Sequence, residues 1–121
     1  MTTVTPVYPA GAPPPAAPYS PAVKAGNTIY VSGQIPINSK GEILKGTIAE
    51  KTTLILNNIQ LILKGANSDL NKIAKVNIFL TDMGSFKELN EVYSTYFNDH
   101  KPARSCVAVK ELPLGVDIEI E

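Results

Sequence analysis

The stretch TIAEKTTLILNNIQLILKGA, residues 47–66, decides the fold. Thr47-Ile48-Ala49-Glu50 is a capping box, in which a Thr hydroxyl and a Glu carboxylate satisfy early N–H donors of a helix. Ile55, Ile59, Ile62 and Ala66 then recur at helical spacing, with Leu56 and Leu63 beside them, and Gly65 supplies a stop. One long helix with a broad apolar face requires a sheet to cover. The flanking sequence provides it.

Upstream, Thr28-Ile29-Tyr30-Val31-Ser32 is β-branched and aromatic and reads as a strand. Gly33 interrupts it, and Gln34-Ile35-Pro36-Ile37 continues it into a turn at Asn38-Ser39-Lys40-Gly41. A glycine inside a strand predicts a bulge or a close approach by another group. Downstream, Val76, Ile78 and Leu80 alternate with Lys75, Asn77 and Phe79. Ser85-Phe86-Lys87-Glu88 reads as a second capping box, and Phe86, Leu89, Tyr93 and Tyr96-Phe97 mark a second amphipathic helix. Ser105 to Val109 and Val116 to Glu121 read as strands around a turn at Leu112-Pro113-Leu114-Gly115. The predicted order is β-β-α-β-α-β-β, an α+β fold with two helices on one face of a mixed sheet. Ile35-Pro36-Ile37 and Val107-Ala108-Val109 look apolar on both sides. A sheet face with no helix left to cover it predicts self-association, most economically as a closed cyclic oligomer.

Seven of the ten prolines lie in the first 21 residues. Proline removes a donor, so this stretch is neither helix nor interior strand. Residues 1–15 are expected to form a Pro-rich arm, weighted toward a disordered tail, with residues 16–121 forming the domain. Docking is favoured for residues 16–23, where Tyr19 offers an anchor.

The chain has 121 residues, 44% hydrophobic and 18% charged, enough for one globular domain. Eleven basic residues balance eleven acidic ones. That argues against a general nucleic-acid binder, which needs a basic excess. No apolar run is long enough to span a membrane. One Cys and one His make neither a zinc site nor a disulfide framework. The start lacks the basic residues of a secretory or transit peptide, so a cytoplasmic address is expected, with a trimmed mitochondrial protein looking the same.

Among eleven basic residues, Arg104 is the one arginine. Lysine suffices for solvated charge. A single arginine leading into an apolar strand suits planar, bidentate grip on a carboxylate or phosphate. A salt bridge to one of the chain's own carboxylates weighs equally. In Val116-Asp117-Ile118-Glu119-Ile120-Glu121 the acids share one strand face. A solvated face is the plainer reading, and one acid/base group the sharper one; periodicity does not choose among them. Cys106 reads as a small buried hydrophobe and His100 as a loop residue. Ser32-Gly33 places a hydroxyl beside an unhindered N–H.

The blocks Tyr19-Ser20-Pro21-Ala22-Val23, Val31-Ser32-Gly33-Gln34-Ile35-Pro36, Asn90-Glu91-Val92-Tyr93, Pro102-Ala103-Arg104-Ser105-Cys106-Val107, Leu112-Pro113 and Ile118-Glu119-Ile120-Glu121 together resemble the RidA (YjgF-type) family of enamine/imine deaminases, its fungal members in particular. The resemblance runs from about Ala17 to the end. It implies a chorismate-mutase-like fold, a homotrimer with a central barrel, and a ligand site between chains. It further implies hydrolysis of 2-aminoacrylate and related 2-imino acids to 2-oxo acids and ammonia, without cofactor or metal. Arg104 would then hold the substrate carboxylate and Glu119 activate the attacking water. Main-chain groups of Cys106 and Gly33 would position imine and water. Tyr19 and Ser32 would line the pocket, with Asn90 near the cleft. Two other readings accompany it: an endoribonuclease or translation inhibitor, and a non-catalytic ligand-binding or chaperone-like trimer. The sequence departs from the family pattern at Pro21, where a polar residue is common. It also closes at Glu121, where relatives run on through a few apolar residues.

Overall fold

A computed structural model describes residues 3–121. Six strands and two α-helices follow in the order β1 (Val4–Val7), β2 (Ala22–Ala25), β3 (Thr28–Val31), α1 (Ile48–Gly65), β4 (Lys75–Leu80), α2 (Phe86–Tyr96), β5 (Ala103–Ala108) and β6 (Ile118–Ile120). Two three-stranded sheets result, β1-β2-β3 and β5-β4-β6. Only the β4–β5 pairing is parallel, because α2 crosses between them. The sheets are joined at Gln34, whose N–H donates to the Ile120 carbonyl at 2.8 Å and whose carbonyl accepts from Ile120 at 3.0 Å.

The long helix begins as the sequence dictates. Thr47 caps α1, its hydroxyl accepting from Glu50 N–H at 3.1 Å while the Glu50 carboxylate accepts from Thr47 N–H at 3.0 Å. Ile55, Leu56, Ile59 and Leu63 enter one core with Val76, Ile78, Leu80, Leu89, Tyr93, Phe97, Ile118 and Ile120. Asn58 is buried on α1, where its amide donates to the Ile37 carbonyl at 2.9 Å. Both helices therefore cover the same sheet face. The opposite face is bare and carries Tyr30, Phe79 and Val107, with Tyr30 60% and Val107 48% exposed.

Three local expectations are corrected. Ser85 makes no side-chain cap on α2; the Glu88 carboxylate instead accepts from Ala49 N–H at 2.9 Å, tying α2 to the start of α1. The second predicted strand, Gln34 to Ile37, is reduced to single bridges at Gln34 and Ile37. Its residues Ile35 and Ile37 are buried with Val116 in a satellite core, so their apolar character serves this chain rather than an oligomer.

The Pro-rich arm carries a strand that composition does not announce. Val4–Val7 pairs with Ala22–Ala25 as the outermost strand, a position that tolerates Pro6. The arm then lies over the domain. Pro9 packs on Gly65, where an added Cβ would meet its Cγ at 2.6 Å. The Tyr8 and Ser20 hydroxyls share a hydrogen bond at 3.1 Å.

Candidate functional site

Strand register sorts the candidate residues onto two faces. Val76 and Ile78 of β4 point into the core, and their parallel partners are Arg104 and Cys106. Register partners share a face, so Arg104 and Cys106 lie on the helix side, under α2. Phe79 lies on the bare side between its partners Val107 and Glu119. Glu119 therefore belongs to the opposite face from Arg104, two strands away.

On the helix side, α2 presents Phe86, Asn90 and Tyr93 at positions i, i+4 and i+7, one helical face. They converge on Arg104. Its Nη1 donates to Asn90 Oδ1 at 2.7 Å, and its guanidinium carbon stands 4.8 Å from the Tyr93 ring centre and 5.5 Å from that of Phe86. A planar cation between two aromatic faces gains about 0.5–2 kcal/mol per contact. No carboxylate joins them: Lys51–Asp117, at 3.1 Å, is the one ion pair among the described residues. The salt-bridge reading of Arg104 therefore fails. One amide holds the fork in place, and among the described residues no other side-chain acceptor takes a hydrogen bond from it.

Phe86 and Tyr93 read from sequence only as core positions. The signal that would have found them is their spacing around Asn90. Tyr93 is almost wholly buried, and burial pushes its phenol up, against a smaller opposing effect of Arg104. Its hydroxyl is buried without a partner.

Cys106 is half-buried beside this cluster. Burial pushes its thiol up, with the Arg104 charge pulling weakly the other way, so it stays a neutral thiol at pH 7. His100 is held at the Ile73 carbonyl, 2.6 Å away, rather than serving Cys106. The backbone here is more telling. Ala103 N–H donates to Ala74 and Val109 N–H to Leu80, at 3.1 and 2.7 Å. Alternation along the strand then turns the N–H and C=O of Arg104 and Cys106 outward along the free edge of β5.

On the other face a second cluster forms. Ser32 N–H bonds toward β2, to the Pro21 carbonyl at 2.9 Å, whereas Gln34 bonds toward β6. Two residues of equal parity facing opposite ways mean that the backbone turns over at Gly33 as the chain passes from one sheet to the other. There the Glu119 carboxylate presses in: a Cβ on Gly33 would lie 2.8 Å from Glu119 Oε2. Of the two features expected of this glycine, a bulge or a close approach, the close approach occurs. Burial first, and the nearby Glu121 charge second, push the Glu119 carboxyl above its ordinary value. The Ser32 hydroxyl donates to the Ser20 carbonyl at 2.6 Å, pinning the arm to β3. Tyr19, 41% exposed, shares a small hollow with Pro21, Gly33 and Gln34.

The candidate residues thus form two clusters. Arg104, Asn90 and Cys106 make one; Glu119, Gly33, Ser32 and Tyr19 make the other. The sheet separates them. Among the described residues no group of His, Cys, Asp and Glu is arranged to hold a metal ion, and no helix is long and apolar enough to cross a membrane.

The family model described as Endoribonuclease L-PSP, the YjgF/RidA model, matches residues 10–121. The chain belongs to the RidA family. Its relatives include Protein HMF1 of Saccharomyces cerevisiae, 52% identical over 121 residues, spanning 100% of this chain and 94% of HMF1. The yeast protein named MMF1, mitochondrial, is likewise 52% identical across 100% of this chain and 83% of MMF1. The crystal structure of yeast Mmf1 superimposes with a TM-score of 0.95 over 98% of this chain and 94% of that one. The crystal structure of E. coli TdcF with bound serine gives a TM-score of 0.89 at 35% identity, covering 96% of this chain and 94% of that one. The α+β family fold expected from the sequence is the fold found.

Proposed function

We propose that this protein hydrolyses small 2-imino acids, and 2-aminoacrylate through its imine tautomer, to 2-oxo acids and ammonia. The site lies between adjacent chains of a homotrimer. The observation that carries this reading is Arg104, ordered by Asn90, Tyr93 and Phe86 yet paired with no carboxylate. A preset guanidinium fork at an open strand edge suits a carboxylate of the ligand's own. TdcF, which shares the fold, binds serine, a small molecule with such a carboxylate.

Arg104 grips the substrate carboxylate through two charge-assisted hydrogen bonds, each about 1.5–3 kcal/mol. Asn90 is a binding residue that holds the fork. The outward backbone of Cys106 bonds the imine nitrogen. Glu119 comes from a neighbouring chain, beside Gly33, with Ser32 and Tyr19 lining the wall. Burial first, and the Glu121 charge second, raise its pKa, which makes the carboxylate a stronger base toward water. Glu119 takes a proton from water as the oxygen adds to the imine carbon. That proton passes to the nitrogen to give the neutral carbinolamine; its hydroxyl proton then moves to the amine, by way of Glu119, as the C=O forms, the C–N bond breaks and ammonia departs. No electrons are exchanged, and positioning supplies most of the effect. A shared site explains why one chain keeps its two half-sites on opposite faces.

The endoribonuclease description borne by the family model favours a second reading. The balanced charge of this chain and its His100, tied to a backbone carbonyl, speak for the imine reaction.

The test is pyruvate release from 2-aminoacrylate generated by a dehydratase, with Arg104→Lys as the variant. An ammonium cannot reproduce the fork, so a loss of about a hundredfold is expected in kcat/KM. Undiminished activity removes the reading.

A further inference from the structure

Ser32 ends β3 beside the Glu119 cluster, and its polar groups are almost all committed within the chain. Its N–H donates to the Pro21 carbonyl at 2.9 Å, which carries the β2–β3 ladder one residue past the Ala22–Val31 pair. Pro21 has no N–H to return. The buried side chain of Gln34 supplies the missing donor, its Nε2 reaching the Ser32 carbonyl at 3.0 Å. The Ser32 hydroxyl gives its single proton to the Ser20 carbonyl at 2.6 Å. What Ser32 has left to offer is the lone pairs of Oγ.

Those lone pairs lie on the side where Glu119 stands. Ile29 and Val31 pack against the core, so alternation turns Tyr30, and Ser32 after it, to the bare face. Glu119 is on that face, and its carboxylate presses on Gly33, the residue after Ser32. A carboxylate and a hydroxyl whose proton is already given away are two neighbouring acceptors. They call for a partner that donates twice. Water does so, with one O–H to Glu119, the other to Ser32, and a lone pair left to meet the imine carbon. A Ser32 hydroxyl free to rotate would instead donate to that water and occupy the lone pair that attacks.

The direction of the Ser32 proton depends on where the Ser20 carbonyl is held. Ser20 precedes Pro21, which biases it to extended backbone. Its own hydroxyl shares a hydrogen bond with that of Tyr8 at 3.1 Å, and Tyr8 directly follows β1, itself paired with β2. We infer that Ser20, tied to Tyr8, is a positioning residue that keeps Ser32 a hydrogen-bond acceptor, so that Ser32 and Glu119 together orient the attacking water. This inference rests on the imine reaction proposed above. Ser20 itself touches neither substrate nor water; it acts through Ser32.

Tyr8→Phe and Ser20→Ala each remove the bond between the two hydroxyls, and Ser20→Thr keeps it. Three readouts are taken: kcat for pyruvate release from 2-aminoacrylate, the inhibition constant of pyruvate, which reports the Arg104 grip, and amide hydrogen exchange at Ser32. Each removal is expected to lower kcat about three- to tenfold, to leave pyruvate inhibition unchanged and to speed exchange at Ser32. The double variant should lose no more than either single one, because both cut the same bond. Ser20→Thr should match the unmutated protein. Full kcat or unchanged Ser32 exchange in Ser20→Ala overturns the inference. So do losses that multiply in the double variant, or pyruvate inhibition that weakens in step with kcat. Failure of the underlying reaction reads differently: Arg104→Lys then keeps full pyruvate release, and the water-orienting role of Ser20 falls with it.

Discussion

Replacing Gly33 by alanine isolates one contact on which the catalytic reading depends. The new Cβ would stand 2.8 Å from Glu119 Oε2 and 2.9 Å from Glu119 Cδ. Comfortable contact begins near about 3.5 Å, so the carboxylate must withdraw by about 0.7 Å. Gly33 is not among the residues with positive φ, so alanine adds no backbone strain. Rotating the Glu119 side chain off its preferred rotamer costs about 0.5–1.5 kcal/mol. Tm should therefore fall by no more than about 5–10 °C. Activity is far more exposed, since a misplacement of about 1 Å costs about a hundredfold in rate. Gly33→Ala is expected to lose about ten- to a hundredfold in kcat/KM for 2-aminoacrylate, followed as pyruvate. In a Glu119→Ala background the same change should cost nothing further, because the partner is gone. Full activity in Gly33→Ala, or the same loss in both backgrounds, would refute Glu119 as the group that matters.

Two further outcomes are expected. Glu119 holds its proton to higher pH in the folded chain than in the unfolded one, because burial and Glu121 raise it. Its contribution to stability is thus fully present below the ordinary carboxylate value and is lost as pH rises through the folded value. Glu119→Gln should flatten that fall in urea titrations carried upward from about pH 4; an unchanged profile would contradict the burial argument. Gly65→Ala should favour α1 by about 0.5–1 kcal/mol from backbone entropy, yet its Cβ would strike Pro9 at 2.6 Å. The arm should lift, and limited proteolysis within the first 20 residues should quicken; an unaltered cleavage rate would mean the arm is not held there.

Legibility in the sequence followed locality. The capping box at Thr47 was readable because both partners lie within one turn and nothing tertiary competes. The one at Ser85 was not, because Glu88 finds a better donor in Ala49, 39 residues away. β1 hid behind its proline, since an edge strand needs only one side of its backbone. The scarcity of arginine marked Arg104, but only the structure supplied its setting, because α2 and β5 meet through a long-range crossover. Alternation placed the three terminal acids together and could not choose among them. Glu119 was singled out by resemblance, and the physical mark on it, the contact with Gly33, depends on a switch of the backbone between sheets that no spacing rule locates.

The proposed function requires that clusters on opposite sheet faces be brought together by two chains. Subunits of Arg104→Ala and Glu119→Ala, each with only residual activity alone, should be unfolded together, refolded as a mixture and assayed for pyruvate release. A site shared by neighbours in a cyclic trimer regains both intact groups in about one quarter of clefts, so activity should return to about that fraction of the unmutated protein. A mixture as inactive as its components would mean that each chain works alone, and the account of this site would be wrong.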